Sequence, residues 1–253
     1  MIRFSIAAIA LIAVTVAGRA ATAAPIQYGD FDGTTVMYLD VQEESSTDPG
    51  LGLFGAPTIS GDALDFNPQA FAASSSGLDS DVTDSNLQFM IKAKPGQGIA
   101  TVFFAEAGDT TLTGLAGEAE TTVGTSVFVD IVEVDGLPVS FSVPAGTMTF
   151  TPKDDFLLSV DGSGTKVWNG SLFLDLGPFA AANGIKGAIT KINVSLDNTL
   201  SAASVAGTSA FIQKKDADAL VITVETETIV PEPATIVSAL IGLGLLGVAR
   251  RRV

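Results

Sequence analysis

The chain has 253 residues, no cysteine and no histidine, and 28 acidic against 13 basic residues, for a net charge of −15. The two missing residue types exclude disulfides, thiolate chemistry, Ser-His-Asp and Cys-His nucleophilic systems, and nearly every zinc or copper site. The charge excludes binding to nucleic acid and adsorption to anionic lipid.

Residues 1–23 read as a secretory signal peptide. Arg3 supplies the charged start, Ile6 to Ala17 is apolar and uncharged, and Ala21-Thr22-Ala23 fits the small-x-small cleavage rule. A cut after Ala23 is expected, because a cut after Ala24 would leave Pro25 at the first mature position. The body, 24–229, is then extracytoplasmic and long enough for one sandwich-sized domain. It holds eight lysines against 27 acids and no arginine, a net charge of −19. Such a surface stays soluble outside the cell and attracts divalent cations.

Along the body the hydrophobic pattern has period two, the signature of half-buried strands. Leu87, Phe89 and Ile91 alternate with polar residues, as do Leu137, Val139, Phe141 and Val143. Trp168, Gly170, Leu172 and Leu174 form a third such set, and 192–196 and 220–224 carry two more. Further strands are expected at 35–41, 99–106, 122–134 and 205–213. Val134-Asp135-Gly136-Leu137 predicts a two-residue type I′ hairpin, and Asp161-Gly162-Ser163-Gly164 a second turn of that kind. Between the two hydrophobic termini the sequence shows no helical stripe. The expected fold is all-β: an antiparallel β-sandwich, jelly-roll-like. The Gly-, Pro- and Ser-rich segment 48–84 predicts long loops at one edge or end, with a strand only around Ala63 to Phe66.

Several groups bear on chemistry. Asp79, Asp81 and Asp84, with Asn86, lie within eight residues read as a loop just before a strand, and oxygen-only ligands on a loop suit Ca²⁺. The blander reading of the same run is a solvated Asp/Ser loop capping its own turns, and it lacks the glycine and glutamate of an EF-hand loop. Asp30 and Asp32 form a weaker cluster near the mature N-terminus. Glu106, Asp109, Glu118 and Asp130 are candidate acids for a glycosidase, which needs two carboxylates about 5–9 Å apart. Trp168 falls in phase with core positions, and Phe173 falls out of phase. The threonines of Thr147-Met148-Thr149-Phe150-Thr151 are accounted for by β propensity.

The C-terminal segment, 230–253, has three parts: Val230-Pro231-Glu232-Pro233, an apolar run from Ala234 to Ala249, and Arg250-Arg251-Arg252. The prolines keep the first part extended and out of helix or sheet. As a helix the apolar run would span about 24 Å, somewhat short of a ~30 Å hydrocarbon core. The arginines would stay cytoplasmic and orient everything before them outward. By composition alone this is also a tail anchor with chance prolines. The arrangement resembles the PEP-CTERM sorting signal, with Val230 to Pro233 as its motif. The resemblance implies a membrane-embedded exosortase as partner, transient residence in the membrane through the helix, and release to the cell surface or extracellular matrix of a bacterium that makes exopolysaccharide.

The expectation for the whole chain is an exported, non-catalytic surface or matrix protein associated with exopolysaccharide. The alternatives are a calcium-assisted carbohydrate-binding module and a secreted carboxylate-dependent glycan hydrolase or lyase.

Overall fold

The computed structural model describes residues 24–115, 117–215 and 219–229. The expected signal peptide (1–23) and the sorting segment with its hydrophobic helix (230–253) lie outside them. The strands, in chain order, are β1 (Ile26–Asp32), β2 (Val36–Glu44), β3 (Thr58–Ser60), β4 (Ala63–Phe66), β5 (Ala72–Ser76), β6 (Asp79–Ala93), β7 (Gln97–Thr113), β8 (Ala119–Val134), β9 (Leu137–Thr147), β10 (Thr149–Thr151), β11 (Asp155–Leu157), β12 (Gly164–Asp175), β13 (Ile189–Ser204), β14 (Ser209–Lys214) and β15 (Leu220–Thr228). Two short helices, α1 (Leu158–Asp161) and α2 (Leu176–Ala182), interrupt them. Among the described residues no helix is long and apolar enough to cross a membrane.

The strands form two antiparallel sheets packed as a sandwich, the architecture the alternation predicts. The first runs β1-β2-β6-β13-β8-β11, with β9 also on β8. The second runs β10-β12-β7-β15-β4-β3, with β14 between β7 and β5. Two long strands organise it. One edge of β7 takes β15 at Gln97–Glu106 and β14 at Gly108–Thr113, and one edge of β8 takes β11 and β9 in turn. Pro138 and Pro144 sit on β9, which pairs only with β8, so their missing N–H groups cost no ladder bond on the open edge.

The core lies between the sheets. From the first come Tyr38, Leu87, Phe89, Ile91, Val127, Ile131, Ile192 and Leu196; from the second come Leu64, Phe66, Val102, Phe104, Trp168, Ile212 and Ile222, all buried. Residues expected to alternate inward do so on β6, β12, β13 and β15, whereas on β9 Leu137, expected inward, is exposed beside its turn. The Asp135-Gly136 hairpin forms as expected: Val134 pairs with Leu137, and both turn residues have positive φ, 50° and 77°.

Three expectations need correction. Segment 48–84 is about half strand: besides the expected β4 it holds β3, β5 and the first residues of β6. β5 and the start of β6 hide because inward positions there, Ser75 and Thr83, carry hydroxyls instead of large apolar groups. Ser75 Oγ donates to Asp79 O (2.7 Å), and Thr83 Oγ1 to Ala72 O (2.7 Å). The Asp161 to Gly164 turn is not a hairpin. It ends α1, with Gly162 at φ 71°, and carries the chain from β11 in one sheet to β12 in the other. The strand expected at 205–213 starts only at Ser209, because β13 runs on to Ser204 and a turn follows. At Met148, itself buried, the chain likewise changes sheet between β9 and β10.

Candidate functional site

The most unusual chemistry sits inside the sandwich. On β7 the inward positions run Val102, Phe104, Glu106, Gly108, and on β14 they run Ala210, Ile212, Lys214. Strand pairing aligns Gly108 with Lys214 on one side and with Trp168 on the other. In the facing sheet, pairing sets Ser85, Asn198 and Thr125 in one inward row across β6, β13 and β8. A charged pair from one sheet therefore meets a polar row from the other in the middle of an apolar core.

The contacts are specific. Lys214 Nζ lies 2.6 Å from Glu106 Oε2, and both side chains are fully buried. Thr125 Oγ1 donates to Glu106 Oε2 at 3.0 Å, and Asn198 Nδ2 donates to Glu106 Oε1. The approach of Nζ to the carboxylate is an ion pair without hydrogen-bond geometry, and Nζ finds no other acceptor. Asn198 Oδ1 and Trp168 Nε1 are also buried without partners. The rings of Phe71, Trp168 and Phe54 stand 5.4, 5.6 and 5.9 Å from Nζ. Burial pushes the Lys214 amine below its ordinary pKa, and the adjacent Glu106 charge only partly opposes this.

The loop that carries Phe54 is held by another buried carboxylate. Glu43 Oε1 accepts from Leu53 N (2.7 Å), Phe54 N (3.0 Å) and Ser85 Oγ (2.8 Å), and Oε2 accepts from Tyr28 Oη (2.6 Å). Burial, then the neighbouring carboxylate, raises the Tyr28 phenol above its usual range.

Sequence reading missed this cluster, although a signal existed. Glu106, Asn198 and Lys214 each continue the inward phase of an apolar strand face, following Val102 and Phe104, Val194 and Leu196, and Ala210 and Ile212. A polar residue in that phase must be paired in the core or interrupt the strand.

The residues singled out beforehand are scattered. Asp79, Asp81 and Asp84 lie on a strand, not on a loop. The side chains at 79 and 81 share a face that Asp84 does not, and each carboxylate accepts from a different local group: Ser80 N, Ser74 N, and Ser46 and Thr47. Burial raises the Asp84 carboxyl, but the hydrogen bonds of Ser46 and Thr47 outweigh it and hold the pKa below the usual value. Among the described residues no three acidic side chains gather closely enough to hold a metal ion. Of the candidate acids, Glu106 is in the core. Asp109 is buried on the opposite face of β7, bound by Lys215 (3.0 Å) and Gln213 (3.1 Å). Glu118 is in a loop, and Asp130 is exposed on β8. Trp168 is a core residue and Phe173 is exposed (0 % and 58 %).

The outer face of the first sheet is open and polar. Gln42, Gln88, Ser195 and Phe128 align across β2, β6, β13 and β8. Gln27 donates to Gln42, Gln42 to Gln88, Gln88 to Asn86 and Asn86 to Ser195. Phe128 stands half-exposed at the end of this row.

Comparison with known proteins places a PEP-CTERM protein-sorting motif at residues 230–253. That range contains Val230 to Pro233 and Arg250 to Arg252, and the motif implies an exported protein sorted by an exosortase. Among curated proteins, none matches the chain. Solved structures with partial overlap include TmCBM61 in complex with β-1,4-galactotriose, 15 % identical, spanning 69 % of this chain and 92 % of that one, at a TM-score of 0.20. The family 11 xylanase from Neocallimastix patriciarum is 11 % identical over 80 % and 100 %, at 0.24. Trichoderma harzianum endoglucanase 3 is 9 % identical over 80 % and 95 %, at 0.18. These overlaps are too loose to bear on the function of this chain.

Proposed function

We propose that the protein is a non-catalytic component of the cell surface or extracellular matrix, delivered by exosortase processing and retained with exopolysaccharide. The observation that carries this reading is the sorting motif at 230–253 behind a body of net charge −19. In support, the two buried acids among the glycosidase candidates, Glu106 and Asp109, each already hold a lysine. The test is fractionation of the native host. The protein is expected in the matrix fraction, lacking 1–23 and cut near Pro231 to Pro233, and absent from it when the exosortase gene is deleted. Retention of an intact C-terminus in the inner membrane would overturn the reading.

The amide row of the first sheet favours a second reading, a carbohydrate-binding face. Gln42, Gln88 and Asn86 present donors and acceptors at strand spacing, next to the exposed ring of Phe128. Glycan-array binding that disappears in a Gln88→Ala, Phe128→Ala variant would establish it, and an array with no signal would remove it.

A further inference from the structure

We propose that Lys214 and Asn198 are joined by an intramolecular isopeptide bond, formed without any other protein and promoted by Glu106. Three observations converge. An amine and a carboxamide, from strands of opposite sheets, contact the two oxygens of one carboxyl group: Lys214 Nζ at Oε2 and Asn198 Nδ2 at Oε1. Among the described residues the amine has no acceptor in hydrogen-bond geometry and the carboxamide oxygen no donor, although both are fully buried. The rings of Phe54, Phe71 and Trp168 wall the amine in.

As separate side chains these groups are a poor use of a core, since buried polar atoms without partners are destabilising. As reactants they are well placed. An enclosed, desolvated lysine is a better nucleophile because it more readily sheds its proton, and seating the amine and the carboxamide on the two oxygens of one carboxyl group replaces a bimolecular encounter with a unimolecular step.

The step balances as follows. A proton passes from the Lys214 ammonium to Glu106 across their 2.6 Å contact, which leaves a neutral amine and a neutral carboxyl. The Nζ lone pair attacks Asn198 Cγ to give a tetrahedral centre. Glu106 transfers its proton to Nδ2 and takes one from Nζ, the Cγ–Nδ2 bond breaks, and ammonia leaves. The product is a secondary amide between the two side chains and a protonated Glu106, with no oxidant or cofactor consumed. Thr125 acts as a positioning residue, its hydroxyl orienting the carboxyl. Once the bond has formed, the aromatic wall keeps out the water that would hydrolyse it.

The bond ties β13 in one sheet to β14 in the other and closes the loop between them. It gives an exported chain without cysteine a covalent cross-link that redox conditions do not affect.

The experiment is a tryptic map of the protein made from its full-length gene. Lys191 and Lys214 bound a peptide that contains Asn198. With the bond, trypsin does not cut after Lys214. The recovered peptide runs from Ile192 to Lys215, is lighter by one ammonia, and yields no backbone fragments between Asn198 and Lys214. Glu106→Gln, Lys214→Met and Asn198→Ala are each expected to abolish the ammonia loss. A wild-type peptide Ile192–Lys214 at its full sequence mass overturns the proposal, whether or not the variants fold. A deficit of one ammonia that persists in Lys214→Met indicates a succinimide at Asn198 and overturns it as well.

Discussion

Glu43 is the most informative single substitution for the fold. Its side chain is 1 % exposed and accepts four hydrogen bonds, two of them from the backbone N–H groups of Leu53 and Phe54. In Glu43→Ala those two buried donors lose their only side-chain acceptor. At about 1–3 kcal/mol for each unsatisfied group the cost is about 2–6 kcal/mol. A domain of this size loses about 2–4 °C of melting midpoint per kcal/mol, so the midpoint should fall by at least about 4 °C. Glu43→Gln keeps an oxygen facing Leu53, Phe54 and Ser85, and the Tyr28 hydroxyl can turn to accept from the new amide. It loses only the charge assistance, and its loss should be less than half as large. Differential scanning calorimetry measures the midpoints. Hydrogen exchange locates the effect: protection should drop first at the amides of Leu53 and Phe54. If Glu43→Ala melts within a degree of the parent with those amides still protected, the carboxylate does not anchor this loop and the reasoning fails.

Gly108 lies against Trp168, and a Cβ there would meet the indole and the Gln213 carbonyl oxygen at 2.2 Å each. Gly108→Ala should therefore cost about 1–3 kcal/mol or more by overpacking, read as a lower midpoint in urea denaturation and a red-shifted Trp168 emission as the ring is displaced. Acid should destabilise the protein through three carboxylates whose pKa values are lowered on folding. Thr190, then Lys191, lowers that of Glu133; at Asp161 burial raises it but Lys153 and the Leu157 N–H outweigh this; and Asp84 is held by Ser46 and Thr47. A group depressed on folding stabilises above its unfolded pKa and loses that contribution as pH falls through the folded value. The melting midpoint should thus hold down to about pH 5 and drop below about pH 4; an Asp84→Asn, Asp161→Asn, Glu133→Gln variant should show a shallower drop. Millimolar Ca²⁺ should leave the midpoint unchanged, because Asp79, Asp81 and Asp84 are each committed to different donors. A rise of several degrees, lost on adding chelator, would show that they regroup around the ion.

Features set by short-range chemistry were legible in the sequence. Alternation of period two identified the strands that carry Leu87, Val194 and Trp168 and the face each turns inward, because a half-buried strand must alternate. Asp135-Gly136 identified its own turn, because few other pairs tolerate two positive φ angles. The Pro-Glu-Pro motif, apolar run and arginines at 230–253 are contiguous, and export with exosortase sorting could be read from them directly. Where hydroxyls replaced apolar groups, on β5 and early β6, the same reading failed, since Ser75 and Thr83 satisfy themselves through backbone carbonyls and leave no hydrophobic trace. What only the tertiary structure decided is which inward residues meet. Periodicity gives the side of a strand on which Glu106, Asn198 and Lys214 lie, but not what stands opposite. That depends on the register of β7, far in sequence from β13 and β14, and on the stacking of two sheets, which together bring a carboxyl, a carboxamide and an amine into contact.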